Sequence, residues 1–343
     1  MTLKIAELFA GIGAWKKALD RLGIEHETVA AIESDKKAMA AYNLIHKTKF
    51  EATDIRDIDP VTFPDHDIMF YSPPCQAFSR AGKEGGFEDA RGTLFFDAFK
   101  VIQAKKPKIA VMENVKGLTQ NKFKYEFETM LQMLKDEGYE NHWKVLNAKD
   151  YGIPHSRDRV FIVSIRNDIK MYFKFPEKID KGLRLGHLLE DKVDDRFYLE
   201  EEKHGDVVEI YKTRQLNLDD FDSSKTNRIM QLGLLNIYGV QQIRRVYDPS
   251  GICPSLTTMQ GGNRQPKVVV IEDGEYKVRK LTPFECMRLM GFDDEDYYVL
   301  KNNKYSNSQI YKVAGNSIVV NVIEEICKNL ISNENSTSEK GDK

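Results

Sequence analysis

His66-Asp67-Ile68-Met69-Phe70-Tyr71-Ser72-Pro73-Pro74-Cys75-Gln76-Ala77-Phe78-Ser79 decides how the rest of the chain is read. The half before Ser72 is mostly apolar, and a short apolar run reads as a buried strand. Pro73 and Pro74 then stop it, because proline has no N–H to give to a sheet ladder. Cys75 is thereby set on a stiff turn at the carboxyl end of a strand. Open α/β sheets bind their ligands at that end, so the thiol is a candidate nucleophile. A lone cysteine is more commonly a small buried hydrophobe, and the neighbouring segments have to decide.

On the N-terminal side, Leu3-Lys4-Ile5-Ala6-Glu7-Leu8-Phe9 reads as a first strand. It runs into Ala10-Gly11-Ile12-Gly13-Ala14-Trp15 and then an amphipathic helix to about Leu22. Strand, glycine turn and helix N-terminus make a nucleotide-type site, because glycine lets backbone approach a ligand and the helix start offers free N–H groups. The third glycine of the dinucleotide fingerprint is missing, so this turn by itself is a weak signal. Thr28-Val29-Ala30-Ala31-Ile32 is a second strand, ending at Glu33-Ser34-Asp35, where an acid is placed for ribose hydroxyls. A helix over 36–46 follows. Phe50-Glu51-Ala52-Thr53-Asp54-Ile55 is expected as a short strand whose Asp54 takes an adenine amino group. Either acid alone is more often a helix cap.

On the C-terminal side, the glycine-rich residues 81–87 suit a mobile cover. A helix is expected over 93–104. Pro107-Lys108-Ile109-Ala110-Val111-Met112 is another buried strand, and Glu113 at its end shares the sheet rim with Cys75. A carboxyl group there is placed to act as general acid toward a ring nitrogen. A helix over 124–137 and a strand near 143–146 continue the alternation. Arg157 and Arg159 share a parity on the strand running to Val163, so both forks are expected on one face, suited to phosphate or a carbonyl oxygen. An Asp–Arg surface network is the plainer alternative. Pro283 opens a helix over 281–290, and Gly315-Asn316-Ser317 is a polar turn into an apolar C-terminal helix. From about Ser332 the polar tail is expected to be disordered.

The 343 residues suffice for one large domain or two smaller ones. Charged residues at 30% and hydrophobic ones at 41% suit a soluble globular chain. A net charge of −2 names no partner. Local charge does more: between Lys225 and Ile271 six lysines or arginines face one acid, Asp248. With Gln241, Gln242, Gln260, Asn263 and two glycine turns, this segment suits the reading of base edges. The four cysteines, Cys75, Cys253, Cys286 and Cys327, are widely spaced. That argues against a zinc site or disulfide framework and suits a reducing cytoplasm. No signal peptide or membrane-spanning run is evident.

Together, Phe9-Ala10-Gly11-Ile12-Gly13, Pro73-Pro74-Cys75-Gln76, Glu113-Asn114-Val115, Arg157-Asp158-Arg159 and Gly315-Asn316-Ser317 resemble, in that order, the bacterial DNA cytosine-5 methyltransferases of restriction–modification systems. The resemblance spans roughly residues 3–330. It implies an α/β fold: a doubly wound, Rossmann-like sheet binding S-adenosylmethionine and releasing S-adenosylhomocysteine, formed by 1–187 and 279–343. Residues 188–278 would form a smaller, mostly β or irregular target recognition domain. Cofactor contacts fall at Phe9, Gly11, Gly13, Glu33, Asp54, Ile55, Pro74, Leu94 and Asn316. Cys75 falls at the nucleophile, Glu113 at the ring-nitrogen acid, and Arg157 and Arg159 at positions supporting the thiol and the base carbonyl. Ser79, Gln242, Arg244, Arg245 and Ser255 are the candidate DNA contacts, with the segment around Gln242 and Arg245 filling the gap left by a flipped base. The usual glutamine before the two arginines is His155, the aromatic residue after the ribose acid is Ser34, and the usual threonine after Pro254 is Ser255. The partners implied are double-stranded DNA and a cognate restriction endonuclease, with the protein a monomer.

The chemistry explains the residue set. Cytosine C5 is a poor nucleophile until a thiolate adds to C6, and the charge that develops must be absorbed at N3. Inside a duplex C6 is shielded by stacking, so the base must leave the helix. The nearest rival reading changes the substrate to tRNA. A nicotinamide dehydrogenase would want a fuller glycine fingerprint. A DNA-binding protein without activity would have no use for Cys75 and Glu113.

Overall fold

The computed structural model describes residues 2–74, 94–216, 227–259 and 263–338. Cys75, Ser79 and the glycine segment 81–87 lie outside the described residues, as does Gln260. The chain divides into two compact units: Met1–Leu146, Asp158–Glu177 and Val322–Lys343 form one, and Asn147–Arg157 with Lys178–Asn321 the other. Residues 147–157, 178–187 and 279–321, expected in the catalytic part, belong by compactness to the second unit. A functional boundary is a different property, and compactness does not measure it.

The first unit is built on strands β1 (Leu3–Leu8), β2 (His26–Ile32), β3 (Ile68–Tyr71), β4 (Ile109–Val115), β5 (Tyr139–Asn147) and β6 (Asp158–Arg166), in the order β2-β1-β3-β4-β6-β5. β1 pairs in parallel with β2 and β3, and β3 with β4, while β6 runs antiparallel to β4. The central strands are buried on both faces, as parallel strands covered by helices must be. Ala6, Leu8, Met69, Tyr71, Ala110 and Met112 face the same apolar cluster as Phe95 and Ala98 of α3 (Leu94–Lys105) and Phe127 and Met130 of α4 (Lys124–Asp136). The opposite parity meets the other two helices. Trp15 of α1 (Ala14–Arg21) stacks on Phe70 at 4.3 Å, and Tyr42 of α2 (Lys36–His46) donates to Glu7 Oε1 at 2.6 Å. Helices on both faces make the sheet doubly wound, as expected. The chain leaves β1 for β2 on one side and returns to β3 on the other, so the carboxyl ends of β1 and β3 border the switch point where such sheets open a crevice.

Three local expectations need correcting. Residues 50–54 form no strand: Asp54 caps a 3-10 turn at Ile55–Asp57, its carboxylate accepting from Arg56 N. Asn316 is not in a turn but is the last residue of a helix. The C-terminal helix, Val320–Ser338, continues past Ser332, where disorder was expected.

In the second unit the alternation of strand and helix is lost. β7 (Gln231–Leu234), β8 (Arg245–Tyr247), β9 (Lys267–Glu272) and β10 (Glu275–Lys280) form a sheet ordered β10-β9-β8-β7. Val207 and Tyr211 of α5 (Val207–Leu216) share its apolar cluster with Leu232, Leu235, Val246, Val269 and Val278. The one-turn α6 (Gln241–Arg244) precedes β8, and α7 (Pro283–Leu289), α8 (Asp294–Asn302) and α9 (Asn307–Asn316) follow the sheet. α7 starts as its sequence predicts, with proline in the first turn and a capping box between Thr282 and Glu285. The C-terminal helix, α10 (Val320–Ser338), belongs to the first unit from Val322 on. Among the described residues no helix is long and apolar enough to cross a membrane.

Candidate functional site

The turn after β1 is shaped by backbone conformation. Phe9, Gly11 and Gly13 all lie in the left-handed region, at φ of 59°, 57° and 76°. The two glycines adopt it without the strain of a Cβ, whereas Phe9 has no such freedom. The turn closes through Gly13 N–H donating to Ala10 O at 2.9 Å. The two glycines then differ. A Cβ on Gly13 would lie 2.3 Å from His46 Nε2 and 2.6 Å from Tyr42 Cε2, so that position is close-packed. A Cβ on Gly11 would meet nothing within 4 Å, so the turn leaves open space there. Gly11 N–H donates to Glu33 Oε2 at 3.0 Å, and Asp35 N–H to Glu33 Oε1 at 2.8 Å. Burial raises the Glu33 pKa, against those backbone hydrogen bonds. Glu33 therefore shapes the glycine turn from beneath. Phe9, Leu94 and Ile55 contact one apolar cluster, and the open turn, the acid and this apolar floor fit a nucleoside. Asp54 is drawn elsewhere. Arg56 grips both its oxygens, at 2.9 and 2.7 Å, and that hydrogen-bonded fork lowers its pKa to about 2.

Across the switch point, β3 ends at Tyr71 and the chain passes through Ser72 and Pro73 to a half-buried Pro74. Asn114 Nδ2 donates to Pro73 O at 3.2 Å, so the end of β4 is tied to the turn that leads to Cys75. Glu113, beside that tie, is buried, and Arg159 Nε holds its Oε1 at 2.8 Å. The antiparallel register accounts for this pair. Arg159 lies opposite Val115, so its side chain shares a face with Glu113, one diagonal step away.

Arg157 departs from the expectation of two forks on one face. It precedes β6, is buried, and donates to three carbonyls: Leu256 O at 2.8 Å, Gly315 O at 2.9 Å and Ser317 O at 3.0 Å. Its first duty is to join distant segments of the second unit, whereas Arg159 serves Glu113. His155 is also buried. Nε2 accepts from Leu256 N–H at 3.0 Å, which requires the tautomer in which Nδ1 donates to Leu289 O at 3.1 Å. Asn316 is exposed at the end of α9.

Of the candidate DNA contacts, Gln242 and Ser255 are exposed, and Arg244 and Arg245 half-buried. Arg244 Nε donates to Leu235 O at 2.9 Å. Lys267, counted above among the collected charges, is fully buried. Its Nζ donates to Ile243 O at 2.6 Å and to Asn263 O. Burial, with Lys280 opposite, lowers its pKa to about 8. It anchors α6 instead of meeting a phosphate. The sequence pointed to no role for Glu7, which is buried and accepts from Tyr42, or for Asn114. A glutamate near the end of β1, flanked by Ala6 and Leu8, was the signal available for Glu7.

Residues 3–332 match the family described as C-5 cytosine-specific DNA methylase. The type II methyltransferase M.HhaI of Haemophilus parahaemolyticus is 36% identical over 338 residues, covering 97% of this chain and 95% of that one. The type II methyltransferase M.Bsp6I of Bacillus sp. is 37% identical over 338 residues, covering 96% and 98%. An orphan methyltransferase of Bacillus phage SPbeta is 31% identical over 437 residues, covering 96% and 97%. Among solved structures, the Dnmt2 methyltransferase of S. pombe has a TM-score of 0.67 at 21% identity, covering 97% of this chain and 99% of that one. A putative DNA modification methyltransferase encoded within an E. coli prophage has 0.68 at 19%, covering 97% and 100%.

Proposed function

This chain belongs to the C-5 cytosine-specific DNA methylase family and methylates cytosine in DNA at C5; from that premise we propose which of its residues carry the reaction. The observation that carries the proposal is the clasp at the sheet rim. Asn114 binds the turn leading to Cys75 while Arg159 fixes the carboxyl group of Glu113 one residue away. A fixed acid beside the segment that leads, in sequence, to a thiol is what addition to a pyrimidine requires.

In this reading Cys75, assigned from its sequence position, adds as thiolate to C6 of a cytosine extruded from duplex DNA. Glu113 supplies a proton or strong hydrogen bond at N3, so the ring's electrons collect at C5 without a full charge on the ring. S-adenosylmethionine, when bound, supplies an electrophilic methyl group to C5. Loss of the C5 proton then restores the C5–C6 double bond and expels the Cys75 sulfur. Phe9, Gly11, Gly13, Glu33, Ile55, Pro74 and Leu94 hold the donor, the open space at Gly11 being the feature that fits it. Asn316 joins them on its sequence position. Asp54 joins them when the adenine amino group shares its carboxylate with Arg56. Arg157 keeps its supporting role indirectly, by fixing the backbone carbonyls of 256, 315 and 317.

Residues 188–278 read the target sequence in double-stranded DNA, with Gln242, Arg244, Arg245 and Ser255 as contacts and Ser79 from the other segment. The tRNA reading finds no support in a match to a DNA methylase family. Relatives named orphan methyltransferases stand beside type II ones, so a partner nuclease forms no part of the proposal. The buried free thiols of Cys253, Cys286 and Cys327 suit a reducing cytoplasm, where we propose the chain works as a monomer.

A random-sequence duplex library carrying 5-fluorocytosine, mixed with the protein and S-adenosylmethionine, tests the assignment. Fluorine cannot leave C5 as a proton does, so a covalent adduct mapping to Cys75 is expected, and none from Cys75→Ser. Wild-type methylation of ordinary DNA without any adduct at Cys75 would sink it.

A further inference from the structure

Helix α2 is tied to the glycine turn after β1 at both of its ends. At the start, Asp35 is the N-cap, and its N–H donates to Glu33 Oε1 at 2.8 Å while Glu33 Oε2 takes the Gly11 N–H at 3.0 Å. At the other end, His46, the last residue of the helix, reaches Ile12 O through Nε2 at 3.0 Å. A carbonyl oxygen can only accept, so Nε2 carries the proton.

The His46 ring has little freedom to leave that position. Its side chain is 1% exposed and lies against Tyr42, with ring centroids 4.7 Å apart. It sits so near the turn that a Cβ on Gly13 would lie 2.3 Å from Nε2. The other nitrogen, Nδ1, faces Asp20 Oδ2 of α1 at 3.8 Å, and Lys16 Nζ holds Asp20 Oδ1 at 3.0 Å. Burial would raise the Asp20 pKa, and hydrogen bonds from His46 and Lys16 bring it down to about 2. A carboxylate therefore stands behind the ring at neutral pH and keeps it turned toward Ile12.

What the ring holds is the peptide that joins Ile12 to Gly13. Glycine gives up more backbone freedom on ordering than any other residue, and Gly11 and Gly13 lie on either side of Ile12. Fixing the Ile12 carbonyl from outside stops that peptide from turning. Gly13 then keeps the left-handed φ of 76° and the hydrogen bond to Ala10 O that close the turn. The space beside Gly11 is thus shaped in advance, and a site shaped in advance loses less freedom when it binds.

We propose that His46 is a positioning residue for the cofactor: through the Ile12 carbonyl it holds the glycine turn in the shape that receives S-adenosylmethionine. This rests on the reading of that turn as the cofactor site given above. The ring acts on the turn and through it on binding, so its worth appears in cofactor affinity and not in the chemical step.

The test titrates the full chain with S-adenosylmethionine and with S-adenosylhomocysteine by calorimetry, beside methylation rates on a random-sequence duplex library. His46→Leu removes the N–H, and His46→Asn carries an amide too short to reach Ile12 O. Each should weaken both ligands about tenfold, in the range set by one lost hydrogen bond. His46→Gln, whose amide nitrogen can take the place of Nε2, should stay within about threefold of wild type. KM for S-adenosylmethionine should rise with the dissociation constant, while kcat at saturating cofactor changes by less than about twofold. Melting temperatures check that each variant is folded, and where His46→Leu is not, His46→Asn carries the comparison. Wild-type affinity in the folded Leu or Asn variant would overturn the proposal. So would a Gln variant as weak as they are, which would leave the packing of the ring as the cause. A fall in kcat with affinity kept would overturn it, and so would loss of the fold in both His46→Leu and His46→Asn, which would make His46 a residue of the fold alone. Wild-type protein that binds neither ligand would instead overturn the reading beneath.

Discussion

A glutamate can serve three ends in this fold, and its neighbours decide which. Glu113 is held by one arginine at the rim, Glu33 organises the glycine turn, and Glu7 is buried under that turn with Tyr42 as its hydrogen-bond donor. Replacing Glu113 by glutamine keeps the shape and removes the acid. We expect the methyl-transfer rate to fall by about 10²–10⁴-fold, the usual worth of a positioned acid, with DNA affinity kept. Single-turnover kinetics beside a binding isotherm distinguishes this from a lost DNA contact. Glu7 makes a prediction about pH. Burial raises its pKa above the ordinary 4.5. Above pH 4.5 the folded chain therefore keeps a proton that the unfolded chain has released, and stability falls as pH climbs through that window. Glu7→Gln is neutral and should not follow this decline. Its melting temperature relative to wild type should rise as pH climbs above 4.5, and a gap that stays constant with pH would contradict the raised pKa. Lys267 shows why such residues escape sequence reading. A lysine in a basic segment is counted as surface charge, and only the tertiary fold turns it inward onto two carbonyls.

Among the elements, the strands were legible where burial on both faces leaves a continuous apolar run, as at Ile68–Tyr71 and Ile109–Val115. The helices were legible from their spacing and caps. Residues 50–55 failed because a carboxylate capping a 3-10 turn and a polar residue in an alternating strand look alike over six positions. The parity of Arg157 and Arg159 was also misleading, since the strand begins at Asp158 and parity has no meaning before it. The glycine turn allows a sharper test. Gly11→Ala and Gly13→Ala carry the same left-handed strain, on the order of 1–2 kcal/mol. Only Gly13→Ala also drives a methyl group into His46 and Tyr42. Gly13→Ala should thus lose more thermal stability. Gly11→Ala should stay nearer wild type in melting temperature while losing affinity for S-adenosylmethionine, because its methyl group enters the open space. Calorimetric titration and thermal melts of both variants decide it, and equal stability losses would argue against the close packing.

For the molecule, the family was readable because five short motifs keep their order along the chain, although each alone says little. The assembly of the second unit was not readable, because it depends on a buried guanidinium joining carbonyls about a hundred residues or more away. Arg157→Met would leave those carbonyls buried and short of a donor, at about 1–3 kcal/mol for each. We expect its melting temperature to fall by at least roughly 6 °C, using about 2–4 °C per kcal/mol for a domain of this size. Denaturation followed by circular dichroism would show it, and an unchanged melt would mean that water replaces the arginine. Arg244, which donates through Nε to Leu235 O, also accepts from Leu235 N–H at 2.7 Å, and this closed base carries a consequence for engineering. Beyond that pair, among the described residues, the intervening stretch is tied only near its ends, by Asn236 N–H to Lys203 O and by Lys267 Nζ to Ile243 O, so exchanging the residues between for others leaves the joint untouched. On the proposed assignment of target reading to residues 188–278, retargeting begins there, as a swap of one cassette.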